Sequence, residues 1–145
     1  MGEMSRQVFF SVPVEKVWKV WADIERTPEW VEGVTESRIT SAIREGRGME
    51  WREKCLIGGQ VVDMEHEVRE WETGRKTVYQ TTLPMGASMQ TAAEFKSSGS
   101  GTEVNIEISW SLGMIGMFIS EEKFLEMMEK AFSKTSEKWK QRAEA

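Results

Sequence analysis

Cysteine and histidine are nearly absent from this chain, and their scarcity excludes several kinds of site. The sequence contains a single cysteine, Cys55, and a single histidine, His66. A lone thiol cannot form a disulfide within the chain and is typical of a reducing compartment, so we expect a cytoplasmic location. Two such residues also fall short of a zinc or iron ligand set. Gly46-Arg47-Gly48 also lacks the rest of a phosphate-cradling loop. From these absences together, the sequence predicts no metal site and no cofactor.

Excess positive charge and long apolar runs are missing as well. The net charge is -5 and the pI is about 5.1, so we expect no binding to nucleic acid. No apolar run approaches the ~20 residues of a membrane-spanning helix, and we expect no stable membrane insertion. The polar start, Met1 to Arg6, does not resemble a signal peptide. With 39% hydrophobic residues, the chain has an ordinary globular composition, and its length predicts one domain over residues 1–145.

Tryptophan and methionine, by contrast, are abundant. The chain has seven tryptophans and ten methionines. Tryptophan supplies large rigid apolar surface, and methionine fills irregular space and adapts to varied ligands. The composition is therefore compatible with two interiors, a well-filled core and a core that leaves an apolar cavity.

The C-terminal segment predicts a long amphipathic helix from Ser120 to about Arg142. The residues at helical spacing on its apolar side are Phe124, Leu125, Met128, Ala131, Phe132, Thr135 and Trp139. Ser120 is placed to cap the first turn, where Glu121 and Glu122 favour the helix dipole. A stripe of this length needs a large partner surface, which only the strand-rich middle of the chain can supply.

The preceding residues predict one strand, two short helices and six further strands. The first strand covers residues 6–11, and a helix follows from Pro13 to about Ala22. In a second short helix Thr27 would be the cap and Pro28 the first residue. A period of two then marks strands over residues 34–41, 49–56, 61–71, 76–82, 89–96 and 102–111. We predict an α+β fold in which a seven-stranded antiparallel sheet wraps the long helix. The apolar run from Gly113 to Ile119 forms either the first turns of that helix or a mobile flap before it.

Three segments resemble the START-like (helix-grip) superfamily, also called SRPBCC or polyketide cyclase/dehydrase proteins. They are FSVPVEKVW at residues 10–18, WADIERTPEW at residues 21–30 and EVREW at residues 67–71. The resemblance covers nearly the whole chain and implies a curved sheet gripping the C-terminal helix around an elongated apolar cavity. Members bind lipids, hormones, quinones or polyketides, and some are enzymes or protein-interaction modules. The resemblance therefore implies a fold without selecting an activity.

The glycine pair Gly58-Gly59 predicts the register of one hairpin, because glycine tolerates the backbone of a tight turn. If Ile57 and Gln60 flank that turn, the facing pairs are Cys55 and Val62, Glu53 and Met64, Trp51 and His66, and Met49 and Val68. The apolar members then share one face of the sheet. The same register places Glu53 and His66 on that face as diagonal neighbours on adjacent strands, with about 7 Å between their backbones.

This acid–histidine pair allows three interpretations. It is a structural pair in which a buried acid has found its partner, a polar anchor that orients a ligand, or a catalytic pair in which Glu53 tunes His66 as a general base. Cys55 is expected to be a buried, inert thiol. The full set of predicted ligand contacts is Trp51, Glu53, Met64, His66, Tyr79, Trp110, Phe124 and Met128.

Three hypotheses about function follow from this set. The first is a binding protein for a small hydrophobic or amphipathic ligand, lipid-, quinone- or polyketide-like, held between sheet and helix. The second is a cyclase- or dehydratase-type enzyme that uses Glu53 and His66 in the same cavity. The third is a protein-interaction or chaperone-like module, which requires an exposed apolar patch and a cavity too small for a ligand.

Overall fold

A single seven-stranded antiparallel sheet forms the body of the computed structural model, which describes residues 1–145. The strands are β1 (Gly2–Phe10), β2 (Val34–Ile39), β3 (Glu50–Ile57), β4 (Gln60–Glu72), β5 (Lys76–Thr82), β6 (Ser88–Ser98) and β7 (Gly101–Ser111). Their order is β1-β7-β6-β5-β4-β3-β2, so the strands from β2 to β7 follow one another as hairpins and β1 pairs with β7. The predicted α+β, helix-grip architecture is confirmed.

Two α-helices and three short 3-10 turns complete the fold. The helices are α1 (Val14–Ala22) and α2 (Glu121–Glu144), and the 3-10 turns cover Ile24–Glu29, Pro84–Gly86 and Gly113–Met117. The backbone N–H of Lys123 donates to the Ser120 hydroxyl at 3.1 Å, so Ser120 caps α2 as predicted. None of the helices has both the length and the apolar character needed to cross a bilayer.

Helix α2 is anchored to the core through its C-terminal half. Trp139 is only 1% exposed, and its indole N–H donates to the Val17 carbonyl oxygen of α1 at 3.3 Å. Its ring lies 4.9 Å from Phe10 and 5.0 Å from Trp21 between centroids. In the N-terminal half of α2 the apolar side chains are only half-buried, as at Phe124. The helix therefore buries its side chains fully near the C-terminal end, whereas the sheet covers those of its N-terminal half only in part.

Several element boundaries differ from the sequence-based prediction. Thr27 does not cap a helix but lies within the 3-10 turn, where its hydroxyl donates to the Ile24 carbonyl oxygen at 2.5 Å. Strand β1 begins at Gly2 because β7 pairs with it along its whole length, starting with Gly2 opposite Trp110. Residues 113–117 form a separate 3-10 turn, after which the exposed Phe118 precedes α2.

Candidate ligand-binding site

A cavity of about 690 Å³ lies between the sheet and α2. Most of its lining is apolar, and it combines residues of β3 to β7 with the half-buried side of α2. Ile106 and Ile108 of β7 form part of the sheet wall, while Met128 and Phe132 form part of the helix wall. The space lies between two places where α2 contacts the rest of the fold: Trp139 packs on the core near the C-terminal end, and Phe124 packs on Trp110 in the first turn.

The β3–β4 hairpin supplies two of the polar residues in the lining, Glu53 and His66. Its register is the predicted one, with Cys55 opposite Val62, Glu53 opposite Met64 and Trp51 opposite His66. The adjacent pair continues the ladder, since the Val68 N–H donates to the Met49 carbonyl oxygen at 2.9 Å. The alternation of strand side chains places Glu53 inside the fold, where it is 8% exposed.

Glu53 and His66 belong to a network of four side chains. Glu53 Oε1 lies 2.8 Å from His66 Nε2, and Glu53 Oε2 accepts a hydrogen bond from the Trp51 indole N–H at 3.3 Å. His66 Nδ1 lies 2.7 Å from Thr81 Oγ1 of β5, the residue that faces it across the β4–β5 ladder. Both carboxylate oxygens and both ring nitrogens therefore have a partner within the protein.

This pattern determines what His66 can do. An ionised Glu53 only accepts hydrogen bonds, so the proton of that contact resides on His66 Nε2. His66 Nδ1 then accepts from the Thr81 hydroxyl when the ring is neutral and donates to it when the ring is charged. A ligand can reach Nδ1 only by displacing Thr81. The geometry thus suits a fixed polar anchor better than a free general base.

Aromatic rings surround this network. The Trp51 ring stacks on His66 at 4.8 Å and meets Tyr79 edge-on at 4.9 Å. Tyr79 is buried and lines the cavity. Its hydroxyl lies beside the Trp21 indole and the Thr77 hydroxyl, which bond to each other at 3.0 Å, and it makes no well-formed hydrogen bond of its own. Burial raises the pKa of Tyr79 well above its usual range, so this hydroxyl remains a neutral donor.

The structure gathers most of the predicted contact residues around the cavity. Those in its lining are Trp51, Glu53, Met64, His66, Tyr79, Phe124 and Met128. The position of Trp110 corrects the predicted set, because Trp110 lies outside the lining. Its indole N–H donates to Glu121 Oε2 at 3.0 Å, and its ring packs against Phe124. Lining residues that the sequence did not suggest include Thr81, Lys130 and Lys134. No three His, Cys, Asp or Glu side chains come together in a way that could hold a metal ion.

Comparison with known proteins agrees with this architecture. The profile of the family described as polyketide cyclase / dehydrase and lipid transport matches residues 1–144. The chain belongs to this family. Its wider group is the START/SRPBCC superfamily, as the resemblance of the three segments implied. No curated protein matches the chain.

Solved structures of low sequence identity share the fold of this polyketide cyclase/dehydrase family member. The Zhui aromatase/cyclase from Streptomyces sp. R1128 has a TM-score of 0.82 at 16% identity, covering 99% of this chain and 93% of its own. TTHA0849 from Thermus thermophilus has a TM-score of 0.81 at 16% identity over 98% and 97% of the two chains. A START superfamily protein from Mycobacterium smegmatis has a TM-score of 0.80 at 13% identity over 98% and 97%. At these identities the likeness concerns the fold.

The reactivity of Cys55, the one thiol of this family member, tests how far the cavity wall shields it from solvent. Burial, reinforced by the Glu53 carboxylate, raises the pKa of Cys55 from its ordinary 9.0 to about 11. Near pH 8 the thiolate fraction then falls about 100-fold. We expect iodoacetamide to alkylate Cys55 at least about 100-fold more slowly in the folded protein than in urea, as followed by mass spectrometry. The rate should keep rising up to about pH 11. Equal rates in both states would contradict this.

Proposed function

We propose that this protein binds a small hydrophobic or amphipathic ligand in the cavity between the sheet and α2. The observation that carries the proposal is an apolar cavity of about 690 Å³ with one satisfied polar network on its wall. Small-molecule sites typically enclose about 300–1,000 Å³ and combine apolar walls with a few fixed polar groups. Trp51, Glu53, His66 and Thr81 supply such groups, already held in place before any ligand arrives.

A lipid-, quinone- or polyketide-like ligand fits the character of the walls. The rings of Trp51, His66 and Tyr79 offer flat surfaces, and Met64 and Met128 offer side chains that adapt to different outlines. The description of the family, which names polyketide cyclases and lipid transport, supports the same class of ligand. The family membership does not by itself distinguish among these ligands.

An enzyme acting on such a ligand is the second candidate, favoured by the 2.8 Å contact between Glu53 and His66. A cyclase or dehydratase needs a group that moves a proton, and imidazole is the usual one. Because Thr81 occupies Nδ1, substrate binding would first have to open that hydrogen bond. The binding function needs no such rearrangement, which is why we place it first. Recovery of the ligand in a chemically altered form after incubation with the protein would support the enzyme instead.

A charge placed in the helix wall tests the binding function. We expect Met128→Asp to weaken binding of the neutral fluorescent probe N-phenyl-1-naphthylamine at least about tenfold, because a carboxylate in an apolar cavity is poorly solvated. The measurement is a fluorescence titration of the probe with each variant. The matched control is Met117→Asp, since Met117 is 78% exposed and lies outside the lining. Equal affinity for the two variants would contradict the proposal, as would the absence of probe binding to the unmodified protein.

A further inference from the structure

We propose, building on the binding function above, that the ligand is an anionic amphiphile. Its acid group would lie at Lys130 and Lys134 at the cavity mouth, and its apolar part would extend inward. The inference comes from the position of the mouth, the charges around it and the lack of a place for an anion inside.

The exposed residues of the lining locate the mouth. They are Leu56, Gly58, Lys130 and Lys134. The first two belong to the β3–β4 hairpin and the other two are one turn apart on α2. All other lining residues are buried or half-buried. A ligand exchanging with solvent therefore passes between the hairpin tip and the lysine side of α2.

The lysines leave positive charge at this mouth in a chain whose net charge is -5. Lys130 has no carboxylate partner within the protein, although three other lysines of α2 do. Glu32 also lines the cavity and lies 4.0 Å from Lys134, but its closer partner is Lys138 at 3.1 Å, which offsets its charge. Lysine stems can cover apolar surface while the ammonium stays in water, which is the position a ligand acid group at the mouth would need.

The interior offers no comparable place for an acid. Glu53 is the nearest charge there, and its two oxygens are engaged by His66 and Trp51. An anion next to this carboxylate would be repelled and poorly solvated. The mouth therefore favours the acid group of a ligand, and the interior favours its apolar part.

Two probes with the same chain and different head groups test the assignment. Dodecanoate and dodecanol are titrated against bound N-phenyl-1-naphthylamine, using the unmodified protein and the variant Lys130→Gln/Lys134→Gln. We expect the variant to bind dodecanoate about fivefold more weakly, as two exposed charge contacts would allow, and to bind dodecanol with unchanged affinity. The dodecanoate effect should shrink as salt is added. The matched control is Lys123→Gln, since Lys123 lies on α2 outside the lining and pairs with Glu126.

The outcomes separate this inference from the binding function beneath it. Unchanged dodecanoate affinity in the double variant, with both probes still bound, overturns the inference and leaves the binding function intact. An equal loss for both probes also overturns it, because the lysines would then act through packing rather than charge. If neither the dye nor the two probes bind the unmodified protein, the binding function fails and the inference fails with it.

Discussion

Replacing His66 with alanine should lower the free energy of unfolding by about 3 kcal/mol, because it leaves a buried carboxylate without its closest partner. Glu53 is 8% exposed and would retain only the longer contact to the Trp51 indole, at 3.3 Å. The Thr81 hydroxyl would lose its partner at the same time. The measurement is urea unfolding followed by tryptophan fluorescence.

A double-mutant cycle shows whether the loss comes from the pair. Combining His66→Ala with Glu53→Leu removes the charge that His66→Ala leaves behind, so we expect the double variant to be more stable than the sum of the single effects. The conservative variant His66→Gln can still donate to Glu53 and should lose less than His66→Ala. A loss below about 1 kcal/mol for His66→Ala would mean that Glu53 is already hydrated through the cavity.

Replacing Trp139 with alanine should cost about 4 kcal/mol, the larger of the two effects, because it removes the side chain that holds α2 on the core. The ring contacts Phe10, Trp21, Trp30 and Phe95, and its N–H reaches Val17. Collapse of α2 onto the sheet cannot refill this space without closing the ligand cavity. Urea unfolding followed by far-UV circular dichroism measures the effect.

Two further variants serve as comparisons for Trp139→Ala. Trp139→Phe keeps an aromatic ring and loses the hydrogen bond to Val17, so we expect a smaller loss of about 1–2 kcal/mol. Glu137→Ala, on the exposed side of α2, should change the stability by less than about 0.5 kcal/mol. If Trp139→Ala cost no more than Glu137→Ala, the packing of α2 described above would be wrong.

The elements with strong local signals could be predicted from the sequence. Gly58-Gly59 set the β3–β4 register, and one correct pairing was enough to bring Glu53 and His66 to the same face. The helical spacing of apolar residues predicted α2, and the position of Ser120 before the first turn predicted its cap. These features depend on residues close together in the chain, where spacing and turn chemistry determine the structure.

Features that depend on distant pairings could not be predicted. Thr81 completes the polar network because β4 contains an irregularity between Val68 and Glu70 that sets the β4–β5 register, and no residue in the sequence marks it. Trp110 faces the correct side of the sheet but lies near the first turn of α2, beyond the end of the cavity. Alternation along a strand gives the face of a side chain and not its depth in the fold.

The pairing of β1 with β7 has a consequence for how this chain folds. Every other strand pair is a hairpin between sequence neighbours, whereas β1 pairs with residues 101–111, so Gly2 lies 108 positions before its partner Trp110. Closing so long a loop costs entropy before any contact forms, and non-local pairing of this kind slows folding. During synthesis the first strand therefore has no strand partner until residues 101–111 have been made. Its apolar side chains, Met4, Val8 and Phe10, lack their native packing during that time.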